Sequence, residues 1–159
     1  MKLYLRESSG SYREASFDEI LHSARAGMRR RFKRGTAIEG PTSAIEFLRL
    51  EIGHLDHEVF AVLHLDQRHR VIAFDPMFRG CLTGASVHPG EVCKEALRRG
   101  SAAVVLSHCH PSGNTTPSHA DRSITRRLRE ALDLVDVRVI DHIIISADDH
   151  YSFASNSDL

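Results

Sequence analysis

The 159-residue sequence has little cysteine, no net charge and no long apolar run, and each shortage narrows what it can be. Its three cysteines (Cys81, Cys93, Cys109) are scattered and odd in number, with no C-x-x-C pair. That argues against a disulfide framework or a four-cysteine zinc site and fits a reducing cytosol. A formal net charge of +0 at pH 7 gives no global attraction to nucleic acid or an anionic membrane. No segment approaches the roughly 20 apolar residues of a membrane span, and the opening MKLYLRESSGSYREASF has no apolar signal-peptide core. The expectation is a cytoplasmic protein with no membrane partner. Internal repeats and low-complexity tracts are also missing. What is present is one domain's worth of chain, 42% hydrophobic, enough for a single packed core.

The first forty residues read differently from the rest. SFDEILHSARAGMRRRFKRG suits a helix, with Ile20, Leu21, Ala24, Met28 and Phe32 near one face. Ser16 with Glu19 forms a capping signature, and Gly35 follows a basic last turn that suits the helix dipole. That basic run is either a solvated helix end or a contact for an acidic partner or nucleic acid. The expected organisation is a helical arm and linker over 1–40 and a compact domain over 41–159.

In the second part, Ser43 with Glu46 predicts a capped helix in AIEFLRLEI, stopped by Gly53. EVFAVLHLD and RVIAFD read as a hairpin around QRH, and a further extended piece lies near FRGCLTGA. A helix in PGEVCKEALRRG has Pro89 at its start and Gly100 at its end. SAAVVLS is a buried-type strand. A third helix, SHADRSITRRLREALDLV, repeats Ile124, Leu128, Ala131, Leu132 and Val135 at helical spacing. VRVIDHIIIS and YSFAS close with strands. Strands alternating with helices, one hairpin included, imply an α/β sandwich with a mixed sheet.

The chemistry concentrates in VVLSHCHPSGNTTPSHAD, residues 104–121. In extended chain alternate residues share a face, so His108 and His110 project together from the strand end while Cys109 points away. Pro111 and Gly113 turn the chain, and Asp121 falls one turn into the next helix, able to aim back. Two imidazoles and a carboxylate leave a fourth tetrahedral position for water, the pattern of a catalytic rather than a structural zinc site. Simpler accounts exist for each piece. H-x-H arises by chance in a chain with eleven histidines, and Ser118-x-x-Asp121 is an ordinary helix cap. Chelation explains the histidines, the turn and the carboxylate together. Other H-x-H enzymes fit poorly: the H-x-E and P-C-x-x-C of zinc deaminases are absent, as is H-E-x-x-H, and an amidohydrolase-type barrel needs about 250 residues.

HCHPSGNTTPSHAD fits the H-x-H-P-x6-S-x-x-D signature and resembles the JAMM (MPN+) zinc metallopeptidases, most closely their RadC-like branch. The resemblance extends through EVFAVLHLDQRHRVIAFDPMFRGCLTGASVHP, EVCKEALRRGSAAVVLSH and ALDLVDVRVIDHIII, covering roughly residues 41–154. It implies a JAMM/MPN-type, cytidine-deaminase-like sandwich. It also implies one Zn2+ per chain held by His108, His110 and Asp121. Ser118 then corresponds to the hydroxyl that helps hold the oxyanion, and Glu58 to the glutamate that bonds the zinc-bound water. Without the resemblance Glu58 reads as a surface residue at a strand edge. Glu51, Glu91 and Glu95 are rivals, the last two on a solvated helix face.

The activity so implied is hydrolysis of a peptide or isopeptide bond, with Glu58 as general base and acid and Ser118 stabilising developing charge. The alternatives are a non-catalytic metal-binding module and a DNA-repair-associated accessory factor. Longer RadC proteins carry a helix-hairpin-helix-like region, and the first forty residues here show no convincing G-x-G hairpin, which weakens the case for duplex binding. The short inter-strand segments give no sign of the inserted loops with which ubiquitin-cleaving relatives grip their substrate. Ser86 and His88 either line the cleft or form a helix-entry turn, and His142 reads as a structural histidine rather than a ligand. Cys109, where relatives often have asparagine, reads as a small buried residue facing away from the metal.

Overall fold

The computed structural model describes residues 2–31, 33–80 and 87–159. The chain divides into two compact units, the first ending at Arg31 and the second comprising the rest. In the first, β1 (Tyr4–Arg6) and β2 (Tyr12–Glu14) pair antiparallel ahead of α1 (Phe17–Arg31). The hairpin is an element the expected helical arm and linker did not include, and its cause is local. Gly10 takes φ 88° and its amide bonds back to the Glu7 carbonyl at 2.9 Å, a reversal glycine makes without steric cost. The start of α1 is the expected reciprocal cap: Glu19 N donates to Ser16 Oγ at 3.3 Å and Ser16 N to Glu19 Oε2 at 2.9 Å. Of its expected apolar face, the Met28 side chain and Phe32 lie outside the described residues.

The second unit is a five-stranded mixed sheet ordered β4-β3-β5-β6-β7. Its strands are β3 (Val59–Leu65), β4 (Val71–Arg79), β5 (Ala103–Cys109), β6 (Arg138–Ile145) and β7 (His150–Ser152). All pairs are antiparallel except β5 with β6. β3 and β5 are buried along their whole length, which is why they read as unbroken apolar runs instead of alternating ones. The turn after β3 is organised by Asp66, whose Oδ1 accepts the amides of Arg68 and Arg70 at 2.8 and 2.9 Å. Residues 35–38 lie along this hairpin: Gly35 N donates to Val71 O at 2.8 Å and Ile38 N to His69 O at 2.9 Å. Part of the expected linker is therefore paired backbone. The extended piece expected near FRGCLTGA is described only as far as the end of β4 and Gly80; residues 81–86, with Cys81 and Ser86, lie outside the described residues.

Helices cover both faces. α3 (Pro89–Arg99) and α4 (His119–Asp133) bury Val92, Ala96, Leu128 and Leu132 against Phe60, Val62, Val104 and Leu106. On the other face α2 (Pro41–Ile52) buries Ala44, Phe47, Leu48 and Ile52. The expected Ser43–Glu46 cap of α2 is a correction. The helix starts earlier, with Gly40 at the cap and Pro41 in its first turn, where proline's missing N–H costs nothing. Ser43 Oγ instead donates back to Gly40 O at 2.9 Å. Gly53 ends α2 in right-handed geometry, and its requirement is space: a Cβ there would meet Arg49 O at 2.6 Å. α3 follows the expected rule, ending at Gly100 in the left-handed region with φ 67°. No helix among the described residues is long and apolar enough to cross a membrane.

Candidate metal centre

The parallel pair β5–β6 and its crossover helix α4 build the site. β5 ends in Ser107-His108-Cys109, and His110 N holds the edge of β6 through Ile145 O at 2.9 Å. A tight turn follows, with Gly113 N donating to His110 O at 3.1 Å and Gly113 at φ 84°. Thr115 Oγ1 anchors the loop to Asp149 Oδ2 at 2.7 Å. The chain then enters α4 through Ser118 as its cap. The loop thus carries α4's first turn back over the strand end.

Three donor atoms converge there. His108 Nε2 is 3.0 Å from His110 Nε2 and 3.1 Å from Asp121 Oδ1, and the ligand atoms of His108, His110 and Asp121 all lie within 4.8 Å of one another. His108 and Asp121 are buried and His110 half-buried. His110 Nδ1 is 2.6 Å from the Asn114 carbonyl. A carbonyl only accepts, so the ring hydrogen lies on Nδ1 and a neutral His110 turns a bare Nε2 into the site. Asp121 is divided likewise: Oδ2 accepts from Ser118 N at 2.7 Å and Ser118 Oγ at 2.6 Å, which leaves Oδ1 toward His108.

The electrostatics suit a cation. Burial pushes His108 below the ordinary histidine range, partly opposed by Asp121, which favours a neutral, ligating imidazole. Burial opposes the charge on Asp121, but its contacts with His108 and with the Ser118 hydroxyl and amide outweigh that. Its carboxyl is held well below the usual range. Neutral imidazole and ionised carboxylate are the forms that bind a metal, so the donor set fits a zinc-like ion.

The other expected residues fall as follows. Ser118 caps α4 through a complete capping box, so the ordinary cap and the convergence coexist, with one carboxylate oxygen serving each. In this state the Ser118 hydroxyl hydrogen is committed to Asp121. Glu58 immediately precedes β3, where Phe60 pairs with His108. Continuing that antiparallel register puts Glu58 opposite His110, on the same sheet face. Its charge reaches both His108 and Cys109. Cys109 is buried on the opposite face with Ile52 and Val59, its thiol donating to His57 O at 3.3 Å, and burial raises its pKa. His88 caps α3 with its ring against Phe78, which makes it a helix-entry residue. Glu91 pairs with Lys94 and Glu95 with Arg98 and Arg99, all on α3, and Glu51 lies on α2.

His142 is the residue whose place the sequence did not disclose. It is fully buried on β6, with Nε2 2.8 Å from His108 Nδ1, and burial drives it well below the ordinary histidine range. It is a partner of a candidate ligand rather than a ligand. The signal for this lies in the parallel register, Leu106 opposite His142, which places it diagonally beside His108. One sequence alone does not supply that pairing.

A mixed sheet whose parallel pair delivers H-x-H to the start of the crossover helix defines an α/β domain of the JAB/MPN type. Comparison narrows this further. The sequence model of the RadC-like JAB domain matches residues 38–158, and the chain belongs to that family. It is 47% identical over 150 residues to a UPF0758 protein of Variovorax paradoxus (strain S110), covering 94% of this chain and 67% of the relative. It is 44% identical over 145 residues to one from Leptothrix cholodnii, covering 91% and 65%. It is 47% identical over 145 residues, with the same coverage, to UPF0758 protein Tgr7_0100 of Thioalkalivibrio sulfidiphilus. The chain spans about two thirds of the length of these curated relatives, and none of their names states an activity.

Proposed function

We propose that this domain is a zinc-dependent hydrolase of amide bonds, peptide or isopeptide. The observation that carries the reading is the convergence of His108 Nε2, His110 Nε2 and Asp121 Oδ1, the donor set of an open, catalytic-type centre. A zinc ion held there supplies Lewis acidity to a water and to the scissile carbonyl. Glu58 acts as general base, its carboxylate accepting the attacking water's proton and returning it to the leaving nitrogen. Ser118 Oγ donates to the developing oxyanion. It must first turn away from Asp121 Oδ2, which then keeps the Ser118 amide as its donor. Ser118 is exposed, so its hydroxyl is within reach of a bound substrate.

The test is a screen of zinc-loaded protein against peptide and isopeptide libraries, read by mass spectrometry. The wild type is expected to cleave a subset. Glu58→Gln is expected to retain zinc and lose turnover by roughly 100-fold or more, the scale of a general base. A wild type that binds zinc and cleaves nothing, or a Glu58→Gln variant of undiminished activity, would overturn the hydrolase reading and leave a metal-binding module.

A further inference from the structure

Behind the donor set stand His142 on β6 and Thr125 on α4, both buried. Thr125 Oγ1 lies 2.5 Å from the Asp121 main-chain carbonyl and 2.5 Å from His142 Nδ1. His142 Nε2 in turn faces His108 Nδ1 at 2.8 Å. We infer that Thr125 and His142 are positioning residues that fix which nitrogen of His108 faces the metal, and that the Asp121 carbonyl sets their polarity. The inference rests on the reading of His108 and Asp121 as metal ligands.

Each link follows from the donors and acceptors available. A carbonyl oxygen only accepts, so the single Thr125 hydroxyl hydrogen points at Asp121. With the hydrogen elsewhere, two oxygens 2.5 Å apart would oppose lone pairs. The Thr125 oxygen can then only accept from His142, which must carry its hydrogen on Nδ1. From the other end, His108 as a ligand turns a bare Nε2 toward His110 Nε2 and Asp121 Oδ1, so its one hydrogen lies on Nδ1. His142 Nε2, 2.8 Å away, can then only accept, which agrees with its own hydrogen lying on Nδ1.

Metal-bound histidines ordinarily fix their tautomer by donating to a carboxylate, a carbonyl or water. Here a second histidine takes that place. A neutral histidine accepts at one nitrogen only, so it orients His108 only if its own tautomer is set, and Thr125 sets it. The ring is also held in place: Phe153 stacks on it at 4.9 Å and 16°, and Phe60 meets it edge-on at 5.8 Å. Asp121 consequently acts twice, through Oδ1 toward the site and through its carbonyl on the other ligand. Any shift of α4 that withdraws the carboxylate also releases the tautomer of His108.

The direct test is long-range proton–nitrogen NMR of ring-15N histidine in zinc-loaded wild-type protein, which reports tautomers without reference to catalysis. Hydrogens on Nδ1 of both His108 and His142 are expected, and an Nε2–H tautomer at His142 would overturn the proposal. Zinc affinity by competition with a chromophoric chelator is the second readout. Thr125→Val is expected to weaken zinc about 10-fold or more, within the 10–100-fold range of outer-shell partners. Thr125→Ser, which restores the hydroxyl, is expected to return within about twofold of wild type. A folded Thr125→Val with wild-type affinity and an unchanged His142 tautomer would likewise overturn it. A wild type that fails to bind zinc would count against the metal-site reading, and a hydrogen on His142 Nδ1 in that protein would leave the Thr125–His142 link standing.

Discussion

The same face of the sheet carries a buried histidine at each end, and the two ends differ in what surrounds the ring. At one end His108 meets His110, Asp121 and His142. At the other, His64 on β3 bonds Ser101 Oγ at 2.9 Å through Nδ1 and faces Asp75 Oδ2 at 3.3 Å through Nε2. Both rings are fully buried, and each stands beside a carboxylate. At the His64 end, however, the carboxylate's charge is already matched. Arg99 Nη2 reaches Asp75 Oδ1 at 2.6 Å, and Arg99 Nε and Arg98 both engage Glu95, so two cations face two carboxylates. At the His108 end the nearest neighbours of the ring nitrogen are another imidazole nitrogen and a carboxylate oxygen. A buried histidine beside an acid is thus a structural feature. Several bare donors turned toward one point make a candidate metal site.

Asp121→Asn should break the comparison most severely. It removes the charge of the candidate ligand, and zinc affinity is expected to fall by more than about 100-fold, beyond what outer-shell losses produce. Competition titration measures this, and His64→Leu should leave the affinity unchanged.

The second expectation concerns pH. Burial lowers the folded-state pKa of His64 to about 4, from an ordinary 6.5. The unfolded chain therefore binds this proton first as pH falls. The contribution of neutral His64 to stability is complete above pH 6.5 and is lost progressively down to about pH 4. A shift of this size corresponds to about 3 kcal/mol. Urea unfolding of metal-free protein across that window should show a shallower pH dependence in His64→Leu than in wild type. Equal slopes would mean that His64 is not held neutral.

Smaller effects sharpen the contrast. Ser101→Ala strips His64 Nδ1 of its partner and should cost about 2 kcal/mol, the scale of a buried group left unpaired, without changing zinc binding. Cys109→Ala removes a packed thiol from the α2 face and should cost about 1 kcal/mol. Because Cys109 points away from the donors, zinc affinity should stay within about twofold. A larger loss would place the thiol nearer the site than its contacts indicate.

How much of this was legible in sequence depended on whether the determining contact was local. The caps at Ser16 and Ser118, the stop at Gly100 and the hairpin around QRH are short-range devices, and they stand where the sequence placed them. The convergence of His108, His110 and Asp121 was legible because a strand's alternation and one short loop link all three. The start of α2 was misjudged because Ser43 resembles a cap, while Pro41 two residues earlier is the better first-turn residue. The hairpin of residues 4–14 was missed because two three-residue strands leave almost no periodicity to detect. His142 was not legible in its role. That role depends on β5 and β6 lying side by side, with its ring on the face of His108 and Asp141 on the other, bonded to Ser152 and Ala154.

The most direct measurement is zinc content per chain by elemental analysis, on wild-type protein reconstituted at neutral pH and on a His108→Ala/His110→Ala variant. About one zinc per wild-type chain and essentially none in the variant are expected. A wild type that takes up no zinc, or a variant that keeps it, would contradict the assignment of these residues as the metal centre.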